Sequence, residues 1–305
     1  RHIHIRMGVK GLYTYLRPYR HVVDIENIPP QSLIGVDGLS ILYKFRGNTE
    51  MILKFLASFQ RLQARILFVF DGKAPDIKKE EIDLRKTRRN DAREEANMLR
   101  TYLETATNTI DEKGRKVIER KIHDLENGQG WYVTREARHV FQDTLRKNEI
   151  EYVKAKGEAD DVLMSLWSAG KLYSIISSDM DFLVSGVERL WIPSYERCEE
   201  ICLSEVLQEE GLEMSSFCDA AILCGVSAGY TFVNMYPQKA FTFMRHYGSL
   251  EALARRQPRQ FEISKPEVLT QIRERFQIHE KPDSLVREDY RETILKLLID
   301  VSQQK

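Results

Sequence analysis

Six acidic side chains, Asp37, Asp71, Glu158, Asp160, Asp179 and Asp181, stand at or shortly beyond the ends of short apolar runs. Carboxylates gathered in one place repel one another and raise each other's pKa, so such a set stays ionised only when cations neutralise it. An all-oxygen donor set favours Mg2+ or Mn2+, and the His and Cys residues do not share the spacing, which argues against zinc. Hard cations held by several carboxylates usually serve phosphate chemistry. Taken singly, each Asp could instead cap a helix or fill a turn. Six of them in the same relation to strand ends favour a metal site.

The elements that must position these acids are legible as apolar, β-branched stretches too short for helices. Leu33-Ile34-Gly35-Val36 leads into Asp37, and Ile66-Leu67-Phe68-Val69-Phe70 leads into Asp71. Ile150-Glu151-Tyr152-Val153 precedes Glu158, and Leu172-Tyr173-Ser174-Ile175-Ile176 precedes Asp179. Runs of this kind suit strands buried on both faces of a parallel sheet, whose carboxyl ends share one edge, where α/β folds place their sites. The expected fold is therefore α/β, a sheet flanked by helices over residues 7–192, followed by a mostly helical region over 193–305.

Composition narrows the class. A chain of 305 residues with 42% hydrophobic content can bury a sizeable core. Lys plus Arg and Asp plus Glu are 46 each, so net charge offers no sign of a polyanion partner, and local patterning must supply it. Cys198, Cys202, Cys218 and Cys224 are few and late, and read as reduced structural thiols. No stretch is long and apolar enough to span a bilayer, and the first six residues lack the apolar core of a signal peptide, which points to an intracellular protein with no membrane partner.

A charged segment over about 76–128 carries Lys78, Lys79, Arg85, Lys86, Arg88, Arg89 and Arg93 among acids and few large apolar groups. A helix polar on nearly all sides is either a solvated bridge or a ligand-facing element. Because this one springs from Asp71, its first basic turns are expected over the acidic site, as an anion clamp.

Five blocks then occur in order: Met7-Gly8-Val9-Lys10-Gly11-Leu12, Val36-Asp37-Gly38-Leu39-Ser40-Ile41-Leu42-Tyr43, Phe68-Val69-Phe70-Asp71-Gly72-Lys73-Ala74-Pro75, Glu158-Ala159-Asp160-Asp161 and Ser177-Ser178-Asp179-Met180-Asp181-Phe182-Leu183. Together they resemble the flap endonuclease and xeroderma pigmentosum G family of structure-specific 5′ nucleases, over most of the chain. The resemblance implies a PIN-like nuclease sheet, a helical arch over about 76–128, and a C-terminal helical DNA-binding region with a helix-two-turn-helix over about 214–247. It further implies hydrolysis of phosphodiesters in flap, branched or 5′-tailed DNA with two Mg2+ ions, for which Mn2+ can substitute. One ion falls to Asp37, Asp71 and Glu158, the other to Asp160, Asp179 and Asp181, with Asp161 as an additional candidate. Lys78 and Arg85 match basic residues that engage the scissile phosphate. The implied DNA contacts are Gly8, Tyr43, Lys78, Lys79, Arg85, Arg88, Arg89 and Lys239, with Tyr43 stacking on a terminal base. The implied protein is a monomer, nuclear in a eukaryotic cell or within a replication compartment if viral.

The chain also departs from the family pattern. Residues 1–6 precede the methionine at which family chains start. Ser227 stands where members usually carry a seventh acid, and Asn234-Met235-Tyr236-Pro237 replaces a glycine-rich hairpin. No glutamine-plus-paired-aromatics peptide for a sliding clamp is evident. These losses leave an alternative open, a catalytically weak or inactive nuclease fold serving as a DNA-binding or assembly scaffold. Against it, a scaffold has no physical reason to keep six mutually repelling carboxylates.

Overall fold

The computed structural model of the chain describes residues 8–61, 63–74, 79–106, 110–128, 130–195, 197–225, 235–257, 266–277 and 280–300. Its strands are β1 (His21–Val22), β2 (Leu33–Asp37), β3 (Arg65–Phe70), β4 (Glu151–Lys154), β5 (Ser174–Ile176), β6 (Arg189–Pro193) and β7 (Cys198–Cys202). They form a seven-stranded sheet in the order β1-β7-β6-β5-β2-β3-β4. All pairs from β6 across to β4 are parallel, and β2, which carries Val36 between Phe68 on one side and Ile176 on the other, sits where the strand order reverses. The carboxyl ends beside such a reversal form a crevice, the usual site position in open α/β sheets.

The helices on the chain before the sheet's midpoint are α1 (Leu12–Tyr15), α2 (Gly38–Lys44), α3 (Thr49–Arg61), α4 (Lys79–Thr105), α5 (Glu112–Asn127) and α6 (Arg135–Lys147). Those after it are α7 (Ala159–Ser168), α8 (Asp181–Val184), α9 (Leu203–Glu210), α10 (Met214–Cys224), α11 (Pro237–Tyr247), α12 (Leu250–Arg256), α13 (Pro266–Arg275), α14 (Pro282–Leu285) and α15 (Glu288–Asp300). Two compact units result: a helical one over residues 75–133, and one made from residues 8–74 together with 134–305. In the first, α4 and α5 pack along a narrow apolar seam of Ala96, Leu103 and Ile122, with Leu99 and Ile118 beside it. Arg100–Glu126 and Lys121–Glu95 ion pairs border that seam, so the expected charged segment is a helical hairpin with a thin core of its own.

In the second unit, β2 and β3 are buried along almost their whole length, as apolar runs in a parallel sheet require. The core extends from Leu163 and Leu166 of α7 to Phe217, Phe241 and Ile294 of the later helices. The boundary expected near residue 193 is not a boundary of the sheet, because β6 and β7 form an antiparallel hairpin across it, closed by Ser194 N–H donating to Arg197 O at 2.8 Å. Nor do residues 193–305 stand apart as a helical region, since they share one core with the strands.

The pair α10 and α11, expected as the helix-two-turn-helix, packs through Phe217 and Phe241 edge to face at 5.6 Å. Its connection, including Ser227 and Asn234, lies outside the described residues. Asp219 of α10 is almost fully buried, receives both Nε and Nη2 of Arg273 at 2.8 and 2.7 Å, and also accepts from Leu250 N–H at 3.0 Å. That arrangement joins α10, α12 and α13. The four cysteines are unpaired thiols, pushed up in pKa by burial and hence poor nucleophiles. No helix among the described residues is long and apolar enough to cross a membrane.

Candidate active site

Asp37 ends β2 and caps α2. Its Oδ1 accepts from Leu39 N–H and Ser40 N–H, both at 3.0 Å, and its Oδ2 accepts from Ser177 Oγ at 2.9 Å. Here the helix-cap reading of a single Asp is correct, yet it does not exhaust the residue. The carboxyl is enclosed while the residue as a whole is half-buried; that enclosure first, and the negative charge of Asp71 second, push its pKa up to about 6 against the pull of the three hydrogen bonds. Asp37 and Asp71 therefore confront one another electrostatically across adjacent strand ends, as the sequence led us to expect.

Asp71 follows β3, and its Oδ1 accepts from Ala159 N–H, the first amide of α7, at 2.8 Å. This bond fixes β3 against the turn that carries Glu158. Glu158 occupies the cap position of α7 without using its carboxylate as a cap, while Asp160 and Asp161 lie half-buried in that helix's first turn, where the helix dipole favours negative charge.

Asp179 and Asp181 follow β5 and are joined to the rest by small residues. Ser177, fully buried, donates to Asp37 and accepts from Asp179 N–H at 3.1 Å. Ser178 N–H donates to Ser40 Oγ at 2.9 Å, so α2 and the end of β5 are fastened together. Asp181 Oδ1 accepts from Val9 N–H at 3.1 Å, and Asp181 N–H donates to Asp179 Oδ1 at 3.0 Å. Gly8, beside Val9, has φ +111° and lies so close that a Cβ there would stand 2.5 Å from Asp179 Oδ1.

Among the described residues, no group of three or more His, Cys, Asp or Glu side chains is drawn close enough to hold an ion as it stands. The donor set nevertheless fits a hard divalent cation: it is all oxygen, it comes from the ends of four parallel strands, and it holds one carboxyl, Asp37, against its own ionisation.

The expected DNA contacts divide. Lys78 lies outside the described residues. On α4, Lys79 and Arg88 are exposed and Arg85 is half-buried. Arg89 instead places its guanidinium 4.6 Å from the Tyr132 ring centroid, beside Arg93 at 4.9 Å, and so takes part in packing within the helical unit. Tyr43 is 46% exposed and hence not a core residue. Lys239, in the first turn of α11, lies with Nζ 5.6 Å from the Phe243 ring centroid. Gly8 touches carboxylates rather than open surface, which accounts for a glycine there independently of DNA. Ser177 and Ser40 were passed over in the sequence; the Ser-Ser-Asp triplet after a strand is the only local signal for the first, and nothing local marks the second.

Residues 7–92 match the XPG N-terminal domain and residues 149–227 match the XPG I-region, together more than half of the chain. Flap endonuclease 1-A of Physcomitrium patens is 30% identical over 275 residues, covering 80% of this chain and 66% of that relative, so the chain spans just under two thirds of its length. Among solved structures, the catalytic core of Rad2 in complex with a DNA substrate superposes with a TM-score of 0.61 at 17% identity, covering 90% of this chain and 86% of that one. Flap endonuclease-1 from Methanococcus jannaschii superposes with a TM-score of 0.57 at 17% identity, covering 93% and 91%. At those identities the two structures establish a shared fold.

Proposed function

We propose, on the premise that this chain belongs to the XPG and flap endonuclease family, that it is a divalent-metal-dependent structure-specific 5′ nuclease acting on flap, branched or 5′-tailed DNA. One observation carries the reading: Asp37, Asp71, Glu158, Asp179 and Asp181 arrive at one sheet edge from four parallel strands, with Asp37 held near pKa 6 by burial and by Asp71.

In this reading Asp37, Asp71 and Glu158 hold one Mg2+ and Asp160, Asp179 and Asp181 the other, with Mn2+ able to replace either. Such ions, when bound, acidify water and neutralise charge that develops on the phosphate. The protein's own contribution is positional. Ser177 sets the spacing of Asp37 and Asp179, the Asp71 bond to Ala159 N–H sets that of Asp71 and Glu158, and the backbone at Gly8 passes over Asp179 where a side chain would intrude. Arg85 and Lys78 donate to the scissile phosphate, where developing charge makes such a donor worth about 3 kcal/mol. The exposed Tyr43 ring offers a stacking face for a terminal base. A nuclear location in a eukaryotic cell follows from a replication or repair role.

The test is to incubate the pure protein with 5′-labelled flap, nicked, hairpin and single-stranded DNAs, with and without Mg2+ or Mn2+. Cleavage of branched or tailed substrates that requires the ion supports the proposal. Salt-sensitive binding without cleavage under any condition would favour the scaffold reading instead.

A further inference from the structure

β4 is the last strand on its side of the sheet, and an open edge of that kind ordinarily invites pairing. Residues 285–287 cover it. Arg287 N–H donates to Lys154 O at 3.0 Å, Lys156 N–H donates to Leu285 O at 2.8 Å, and Ala155 and Val286 form an antiparallel bridge. Lys156 Nζ adds a bond to Ser284 O at 2.8 Å, and Val286 is fully buried. The opposite flank of the same four residues pairs with the chain around Asp71: Ala155 N–H donates to Phe70 O at 2.9 Å, Gly72 N–H to Gly157 O at 2.7 Å, and Lys73 N–H to Lys156 O at 2.9 Å. The stretch 154–157, which leads directly into Glu158, has its hydrogen bonds divided between two neighbours, both distant in sequence. The same C-terminal segment also holds α7, through Ser165 Oγ donating to Glu280 O at 2.5 Å, and the chain just after it, through Lys171 Nζ donating to Leu298 O at 2.7 Å.

We propose that residues 284–287 are a positioning strap that fixes the loop delivering Glu158 and Asp160, so that the cation affinity of the carboxylate edge depends on this C-terminal segment. The proposal rests on the metal-holding reading of that edge. With only its pairing to residues 70–73 left, the loop would hold Glu158 and Asp160 less firmly, and loss of such outer support typically weakens a metal site by about 10- to 100-fold.

The decisive variant is Arg287→Pro in the full chain, which deletes one backbone donor. Val286, at φ −93° and ψ 158°, already has the extended conformation that precedes proline, and residue 287 stands just before α15, where proline is tolerated. Arg287→Ala keeps the N–H and removes only the side chain. Calorimetric titration with Mn2+ alone, together with amide exchange at residues 154–158, is expected to show Mn2+ affinity about tenfold weaker and faster exchange in Arg287→Pro, with Arg287→Ala like the wild type. In cleavage assays the ion requirement should rise while KM for DNA stays level.

Wild-type Mn2+ affinity and exchange in Arg287→Pro would overturn the proposal, as would an equal loss in Arg287→Ala. Should Arg287→Pro not fold, Val286→Ala decides by the same two readouts, with a smaller shift in the same direction expected and no shift overturning it. A wild type that binds Mn2+ yet cleaves no DNA would sink the nuclease reading and leave the strap standing, whereas a wild type that binds no cation would sink both.

Discussion

Asp37 serves the fold through both carboxylate oxygens, Oδ1 by capping α2 and Oδ2 by accepting from Ser177. Its raised pKa, about 6 against an ordinary 3.8, means that the folded protein binds this proton more tightly than the unfolded chain does. The associated stability is complete below pH 4 and is lost as pH rises through 6, a few kcal/mol at roughly 1.4 kcal/mol per pKa unit. Asp37→Asn keeps the Oδ1 cap and removes the charge, so in EDTA its Tm should exceed the wild type's at pH 8, with the gap closing by about pH 3.5; calorimetry at the two pH values checks this. A variant equally destabilised at both would mean that the carboxylate hydrogen bonds, not its charge, dominate. Ser177 can be tested beside it. Ser177→Ala deprives Asp37 Oδ2 and Asp179 N–H of a shared partner, and is expected to lower kcat about 10- to 100-fold with KM for DNA nearly unchanged, while Ser177→Thr restores the hydroxyl and most of the rate. The acids were legible because a charge after an apolar run stands out in a sequence. Ser177 was not, because its meaning depends on β2 and β5 being neighbours, a relation between residues 140 apart.

At the level of elements, β2, β3, β4 and β5 were readable as short, largely apolar runs, whereas β6, which is parallel to β5, was not. β7 was missed for a physical reason. Its sequence Cys198-Glu199-Glu200-Ile201-Cys202 looks like surface, but Glu200 is accommodated in the sheet by Trp191 Nε1–H, which donates to it at 2.5 Å, and by Cys202 Sγ at 3.3 Å. The close approach of the loops after β3 and β4 was only hinted at by Gly72. A Cβ at that residue would stand 2.1 Å from Ala155 O and 2.4 Å from Lys156 O, both backbone atoms that cannot swing aside. Gly72→Ala should therefore cost about 1–3 kcal/mol by overpacking and weaken Mn2+ binding together with stability, as urea unfolding and calorimetric titration would show. The helical hairpin makes a separate prediction. Leu103→Asp places a charge in the thin seam between α4 and α5, and limited proteolysis should then cut within residues 79–127 while leaving the sheet-bearing unit intact; protection equal to the wild type would show that the seam does not hold the hairpin.

Across the whole molecule, the equal number of acidic and basic residues leaves little net field to steer a polyanion, so the DNA binding proposed above would have to rest on local features such as α4 and the exposed Tyr43. The chain after residue 193 is not an appendage: it completes the sheet with β7, closes the core through α10 and α11, and returns to β4 and α7 with its last described residues. Such returns are set by packing between distant segments and leave no periodic signal in the sequence. In the function proposed above, the carboxylates at the sheet edge hold the ions on which phosphodiester cleavage depends. This is tested most directly by single-turnover cleavage of a 5′-labelled branched DNA at saturating Mg2+, comparing the wild type with Asp71→Asn. The variant is expected to lose on the order of 10³-fold or more in rate, the several kcal/mol that metal-assisted charge stabilisation supplies, while its Tm in EDTA stays level or rises. Near-wild-type cleavage by Asp71→Asn would contradict that reading.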